Sequence, residues 1–168
     1  MSSDIFDQLP LFDGFTSDQR ELVRPLFTPV DCYSGTVLFE QGDPADYLYL
    51  VVVGEVVIRY KPEDGPEILV ARVRPWGIVG WSAALGSHAY TSGAICEEYT
   101  QMLRLYGKDL RNLCEQNPET GILILERLAT VIAQRLRNTH EHVMELLRQG
   151  LGTNSNYAKE GSHGRSRL

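Results

Sequence analysis

From Pro29 to about Leu105 the chain runs in short stretches rich in Val, Leu, Ile and Tyr, interrupted by Ser34-Gly35, Gly42-Asp43-Pro44, Gly54, Asp64-Gly65 and Pro75-Trp76-Gly77. That cadence predicts short strands joined by tight turns, and so a small antiparallel β-barrel or sandwich. Tyr47-Leu48-Tyr49-Leu50-Val51-Val52-Val53 is nearly all apolar, which predicts a strand buried on both faces, whereas Val57-Ile58-Arg59-Tyr60-Lys61 begins to show a wet side. Ahead of this region Thr16-Ser17-Asp18-Gln19 has capping-box spacing and predicts a short helix through Leu22 and Val23. After Tyr106 the pattern turns helical. Gly107 through Gln116 predicts one short helix, and Asn117-Pro118-Glu119 sets a capping side chain, a first-turn proline and an early acid at the start of a long one running to about Gln149.

Within the long helix Ile132, Leu136, Thr139, Val143 and Leu146 advance by 4, 3, 4 and 3, the seam spacing of a coiled coil, with Glu126, Arg127, Arg135 and Glu141 mostly outside it. Ile122, Leu125, Leu128 and Ala129 are expected to pack on the chain's own barrel. Val143, Leu146 and Leu147 lie beyond a small barrel's reach, and unpaired they would expose an apolar stripe, so a partner helix and a homodimer are expected. Residues 151–168 are rich in Gly, Ser and Asn and carry +2 against −8 for the rest, which predicts a disordered tail after a domain spanning 1–150.

With 168 residues, 43% hydrophobic and 23% charged, the composition is globular and suits about one domain. A net charge of −6 opposes non-specific attraction to nucleic acid or anionic membrane. Cys32, Cys96 and Cys114 are too far apart for a CxxC pair and odd in number, which fits a reducing compartment. The N-terminus lacks the basic and apolar blocks of a signal peptide and no run of 18 apolar residues occurs, so a cytosolic chain off the membrane is expected. His88, His140 and His142 share no ligand spacing, so no metal is expected. Asp43 and Asp46 read as turn formers, and Arg72 and Arg74 as one solvated strand face. With no P-loop, nucleophile elbow or paired catalytic carboxylates in view, the chain does not read as an enzyme.

The order short helix, about eight strands, short helix, long helix resembles the cyclic-nucleotide-binding domain of the catabolite activator protein superfamily over about residues 9–148. The most specific piece is Phe39-Glu40-Gln41-Gly42-Asp43-Pro44-Ala45-Asp46-Tyr47 leading into Gly54-Glu55-Val56, which is similar to that family's strand, Gly-Asp turn, strand, Gly-Glu turn signature. The resemblance implies a jelly roll, or double-stranded β-helix, over about 28–105, mainly β with flanking helices at about 107–149. It also implies a dimer through the last helix. The family appends a helix-turn-helix after that helix, where only an 18-residue polar tail follows Gly150, so a stand-alone module that does not bind DNA by itself is expected.

The family's ligand chemistry sits in a phosphate-binding cassette: Gly-Glu, a short helix, and about nine residues later an Arg that completes phosphate neutralisation, the Glu accepting the ribose hydroxyl. The matching stretch here runs from Gly77 to Ala94 and keeps the spacing, but Trp81 stands at the Glu position and Tyr90 at the Arg position. Losing both charged contacts weakens cyclic-nucleotide binding by about three or more decades. Gly80, Trp81, Ser82, Ala83, Tyr90, Thr91 and Ser92 remain as pocket candidates. Trp81 and Tyr90 either line an altered pocket or fill it as core, and the hydroxyls either cap the short helix or meet a ligand. The expected function is a non-enzymatic regulatory, ligand-sensing module that binds cyclic AMP or GMP weakly or not at all. Beside it stand a scaffolding dimer with a plugged pocket and a protein partner, and a genuine weak cyclic-nucleotide binder. No cofactor is expected beyond a possible cyclic nucleotide or other small ligand.

Overall fold

The computed structural model describes residues 3–160. Strands β1 (Phe27–Cys32), β2 (Val37–Phe39), β3 (Tyr47–Val53), β4 (Val56–Tyr60), β5 (Ile68–Val73), β6 (Ile78–Val79), β7 (Gly93–Cys96) and β8 (Thr100–Tyr106) form two four-stranded antiparallel sheets, ordered β1-β8-β3-β6 and β2-β7-β4-β5. β3 lies inside its sheet, which is why it tolerates an almost unbroken apolar run. Alternation then divides its side chains between two cores. Leu48, Leu50 and Val52 join Leu103 and Leu105 of β8 against the helices, while Tyr49 and Val51 join Met102 between the sheets. At the β3–β4 turn Gly54 has φ 89, and a Cβ there would stand 2.5 Å from the Tyr99 carbonyl oxygen, so the turn requires glycine on both counts. Asp43 closes the preceding turn by accepting the Glu40 N–H at 2.8 Å.

Among the described residues there are four helices: α1 (Ser3–Asp7), α2 (Ser17–Val23), α3 (Gly107–Gln116) and α4 (Pro118–Glu160). Thr16 and Gln19 make the reciprocal capping box that their spacing predicts. Phe6, Phe12 and Phe27 form an aromatic cluster over the helix side of the first sheet, with Phe6 and Phe12 stacked at 4.2 Å. Among the described residues no helix is long and apolar enough to cross a membrane.

The chain divides into two units, residues 1–131 and residues 132 onward. In the first, α4 buries Thr120, Ile124 and Leu128 against the helix-side core. This corrects the expected packing of its opening turns: Leu128 is buried, but Ile122 is 59% exposed, Leu125 39%, and Ala129 is exposed as well. The physical reason is phase, since residues 120, 124 and 128 share one side of the helix and 122, 125 and 129 lie around from it.

In the second unit α4 continues to Glu160 rather than ending near Gln149, so residues 151–160, expected as the start of a disordered tail, are helical, and residues 161–168 lie outside the described residues. Prolonging a formed helix needs no new nucleus and adds one hydrogen bond for each residue fixed, which offsets the weak propensities of Gly, Ser and Asn. Of the expected seam, Leu136 is 57% exposed, Ile132 and Thr139 are half-buried, and Thr139 returns its hydroxyl to the Arg135 carbonyl at 3.0 Å. The side chains of Val143 and Leu146 lie outside the described residues.

Candidate functional site

Between β6 and β7 the chain leaves the sheet at Gly80 and makes a single 3₁₀ turn, Trp81–Ala83. Gly80 takes φ 78, and a Cβ there would meet the Tyr47 carbonyl oxygen at 2.6 Å and the rings of Phe39 and Tyr90 at 3.3 Å. No other residue fits that crossing without displacing main chain. The turn is tied off behind itself: Ser87 N–H donates to the Ser82 carbonyl at 3.0 Å, and Arg111 of α3 donates to the Ala83 carbonyl at 2.8 Å. Gly107, the first residue of α3, packs so closely that a Cβ would lie 2.4 Å from the same Ala83 oxygen.

Tyr90 fills the space in front of this turn. The residue is 5% exposed, and its ring stacks on Phe39 with centroids 3.6 Å apart and planes 13° from parallel. Its hydroxyl accepts the Tyr47 N–H at 2.9 Å and donates to the Tyr47 carbonyl at 2.6 Å, so both of its hydrogen-bonding directions end on one residue of β3. Burial pushes the phenol up to about 12 from an ordinary value near 10. On either side the main chain holds it to the Gly42-Asp43 turn, through Gly42 N–H to the Tyr90 carbonyl and Tyr90 N–H to the Asp43 carbonyl, both 2.9 Å. Tyr49, with its own phenol raised chiefly by burial, continues the aromatic layer 6.3 Å from Phe39.

The predicted pocket residues thus separate. Gly80 and Tyr90 are brought together, Trp81 is half-buried, Ser82 and Ala83 are buried, Thr91 is exposed and Ser92 half-buried on the way into β7. Phe39 and Tyr47, which complete the Tyr90 seat, carried no such mark in the sequence. Arg72 and Arg74 are taken up by Glu55, at 2.6 and 3.1 Å, with Glu97 3.7 Å from Arg72. Those two hydrogen bonds hold the Glu55 carboxyl below the usual carboxylate range. Cys32 and Cys96 are buried and Cys114 half-buried, all as free thiols, and burial pushes the Cys96 thiol up to about 11.

Comparison with known proteins matches residues 29–117 to the family model of the cyclic nucleotide-binding domain. A CRP-like cAMP-activated global transcriptional regulator of Mycobacterium tuberculosis is 27% identical over 144 residues, covering 86% of this chain and 62% of its own length. The crystal structure of Thermus thermophilus catabolite activator protein superposes with TM-score 0.65 at 28% identity, covering 82% of this chain and 62% of that one. A cyclic nucleotide-binding domain from Methylobacillus flagellatus shares the fold, with TM-score 0.74 at 21% identity over 84% of this chain and 80% of its own. This chain therefore spans about three fifths of the length of the regulator from M. tuberculosis.

Proposed function

The chain belongs to the cyclic nucleotide-binding domain family, and on that footing we propose that it is a non-enzymatic regulatory module whose cassette is closed to cyclic AMP and cyclic GMP by its own Tyr90. The observation that carries this is the Tyr90 seat: a ring stacked at 3.6 Å on Phe39, with its hydroxyl spent on both main-chain groups of Tyr47. For a cyclic phosphate to sit beside the Gly80 turn, that ring would have to leave, which unstacks an aromatic pair and orphans a half-buried N–H and C=O at a cost of about 1–3 kcal/mol before any ligand contact is made. No guanidinium at position 90 and no carboxylate at position 81 offsets that cost.

The module still has the parts that pass a signal. Arg111 bonds the Ala83 carbonyl and Gly107 packs closely against it, which links the cassette turn to α3, and α4 follows α3 after the single residue Asn117. On α4 the 3-4 spacing runs without a break through Ile122, Leu125, Ala129, Ile132, Leu136 and Thr139. Exposed apolar side chains at Ile122 and Leu136 support a second copy of the chain along this seam. Three free cysteines fit a reducing, cytosolic compartment.

The test is gain of binding. Trp81→Glu with Tyr90→Arg supplies the two missing charged groups, so a cooperatively melting double variant is expected to be stabilised by ~1 mM cyclic AMP or GMP while wild type is not. Equal stabilisation of wild type overturns the closed cassette.

A further inference from the structure

On β8 the side chains of Thr100, Met102, Arg104 and Tyr106 fall on the inter-sheet side by alternation, and Arg104 is the one charge among them. Its cross-strand neighbours are Thr28 on β1 and Tyr49 on β3. The guanidinium carbon sits 4.5 Å from the centroid of the Tyr47 ring, and that ring is 5.2 Å from Tyr106. Arg104, Tyr47 and Tyr106 are half-buried and Thr28 is exposed, so this end of the sandwich opens to solvent.

Arg59 and Arg72 of the sheets and Arg74 just beyond β5 each meet a carboxylate. Arg111 and Arg127 each hold a main-chain carbonyl. Arg104 alone of these makes no ion pair or hydrogen bond among the described residues; beside the Tyr49 phenol, its cross-strand neighbour, the Tyr47 ring is what its guanidinium rests on. A ring face steadies a guanidinium but satisfies none of its five N–H donors, so the fork is left pre-set for an oxyanion. Its seat is fixed as well, because the Tyr90 hydroxyl pins the Tyr47 main chain on both sides.

We propose that Arg104 is an anion-binding residue, which with Tyr47, Tyr106 and Thr28 receives the carboxylate or phosphate of a small ligand at the open end of the roll, outside the cassette. This rests on the closed-cassette reading, since Tyr90 in its seat is what holds Tyr47 under the guanidinium. A ligand on Arg104 would then bear on Tyr47, Tyr90 and the Gly80 turn in sequence, giving the module an input that does not pass through the lost Glu and Arg positions.

The experiment follows the Arg104 Nε–Hε resonance of the ¹⁵N-labelled chain while inorganic phosphate or acetate is added, with chloride at matched ionic strength as the blank. A saturable shift with phosphate or acetate, absent in chloride, is expected, and the tighter of the two anions identifies the chemistry. Arg104→Gln, with its cooperative melt retained, is expected to weaken that binding by about tenfold or more, detected on neighbouring Tyr47 and Tyr106 resonances. No saturable shift in wild type by about 20 mM of either anion overturns the proposal, whether or not the variant folds; so does binding that Arg104→Gln leaves intact. Cyclic AMP is titrated in parallel: binding that survives Arg104→Gln overturns the closed cassette, and the phosphate and acetate arms still decide Arg104.

Discussion

Tyr90 stands where the family resemblance implies a cation, and its surroundings are those of a core residue with one polar end. Because its hydroxyl satisfies both the N–H and the C=O of Tyr47, Tyr90→Phe removes little volume but orphans two main-chain groups, and we expect a loss of about 1–3 kcal/mol in denaturant unfolding at neutral pH. The same residue sets an alkaline limit. With the folded phenol raised to about 12 against an ordinary 10, the native state keeps a proton that the unfolded chain releases, so stability is whole below pH 10 and declines as pH rises from 10 toward 12. Tyr90→Phe is expected to show a shallower decline over that window; an unchanged slope would mean the phenol is not buried. At Gly80, φ 78 and the 2.6 Å approach of the Tyr47 oxygen make Gly80→Ala cost about 2 kcal/mol or more, well beyond the usual effect of a surface substitution. Neither seat was legible beforehand in full. The Gly80 turn, Trp81 and Tyr90 stand out because the cassette spacing is local, but Phe39 lies 51 positions from Tyr90 and Tyr47 lies 43 away, and nothing in either residue announces that distant partner.

Among the elements, those with local signals were readable: the capping box at Thr16, α3 from Gly107 to Gln116, the start of α4 at Pro118 and the doubly buried strand β3. What local signals do not carry is the phase of a helix against a sheet. Ile122 and Leu125 look like ordinary packing residues near a barrel, yet the core takes Thr120, Ile124 and Leu128. Their exposure, and a 3-4 spacing that continues unbroken from Ile122 to Thr139, support the proposed seam. Substitutions separate the two faces. Leu128→Ala is expected to cost about 2–5 kcal/mol as a core cavity. Ile122→Glu with Leu136→Glu should leave the melt of the individual chain nearly unchanged and turn a dimer into a monomer by light scattering at ~100 μM, a concentration that suffices for a micromolar dissociation constant. Wild-type monomers at that concentration would contradict the seam.

On the scale of the whole molecule, the two-sheet roll is shared with Thermus thermophilus catabolite activator protein, and in the proposed reading aromatic packing of Tyr90 on Phe39 stands in place of the groups that would neutralise a cyclic phosphate. The Arg111 hydrogen bond and the close packing of Gly107 on Ala83 join the cassette turn to α3. The claim on which everything else depends is that the wild-type cassette is shut. It is tested most directly by calorimetric titration of the wild-type chain with cyclic AMP and with cyclic GMP, each to ~1 mM at near-physiological salt. No saturable heat is expected from either nucleotide; a saturable isotherm with a dissociation constant below about 100 μM, equivalent to more than about 5 kcal/mol of binding, would contradict the account.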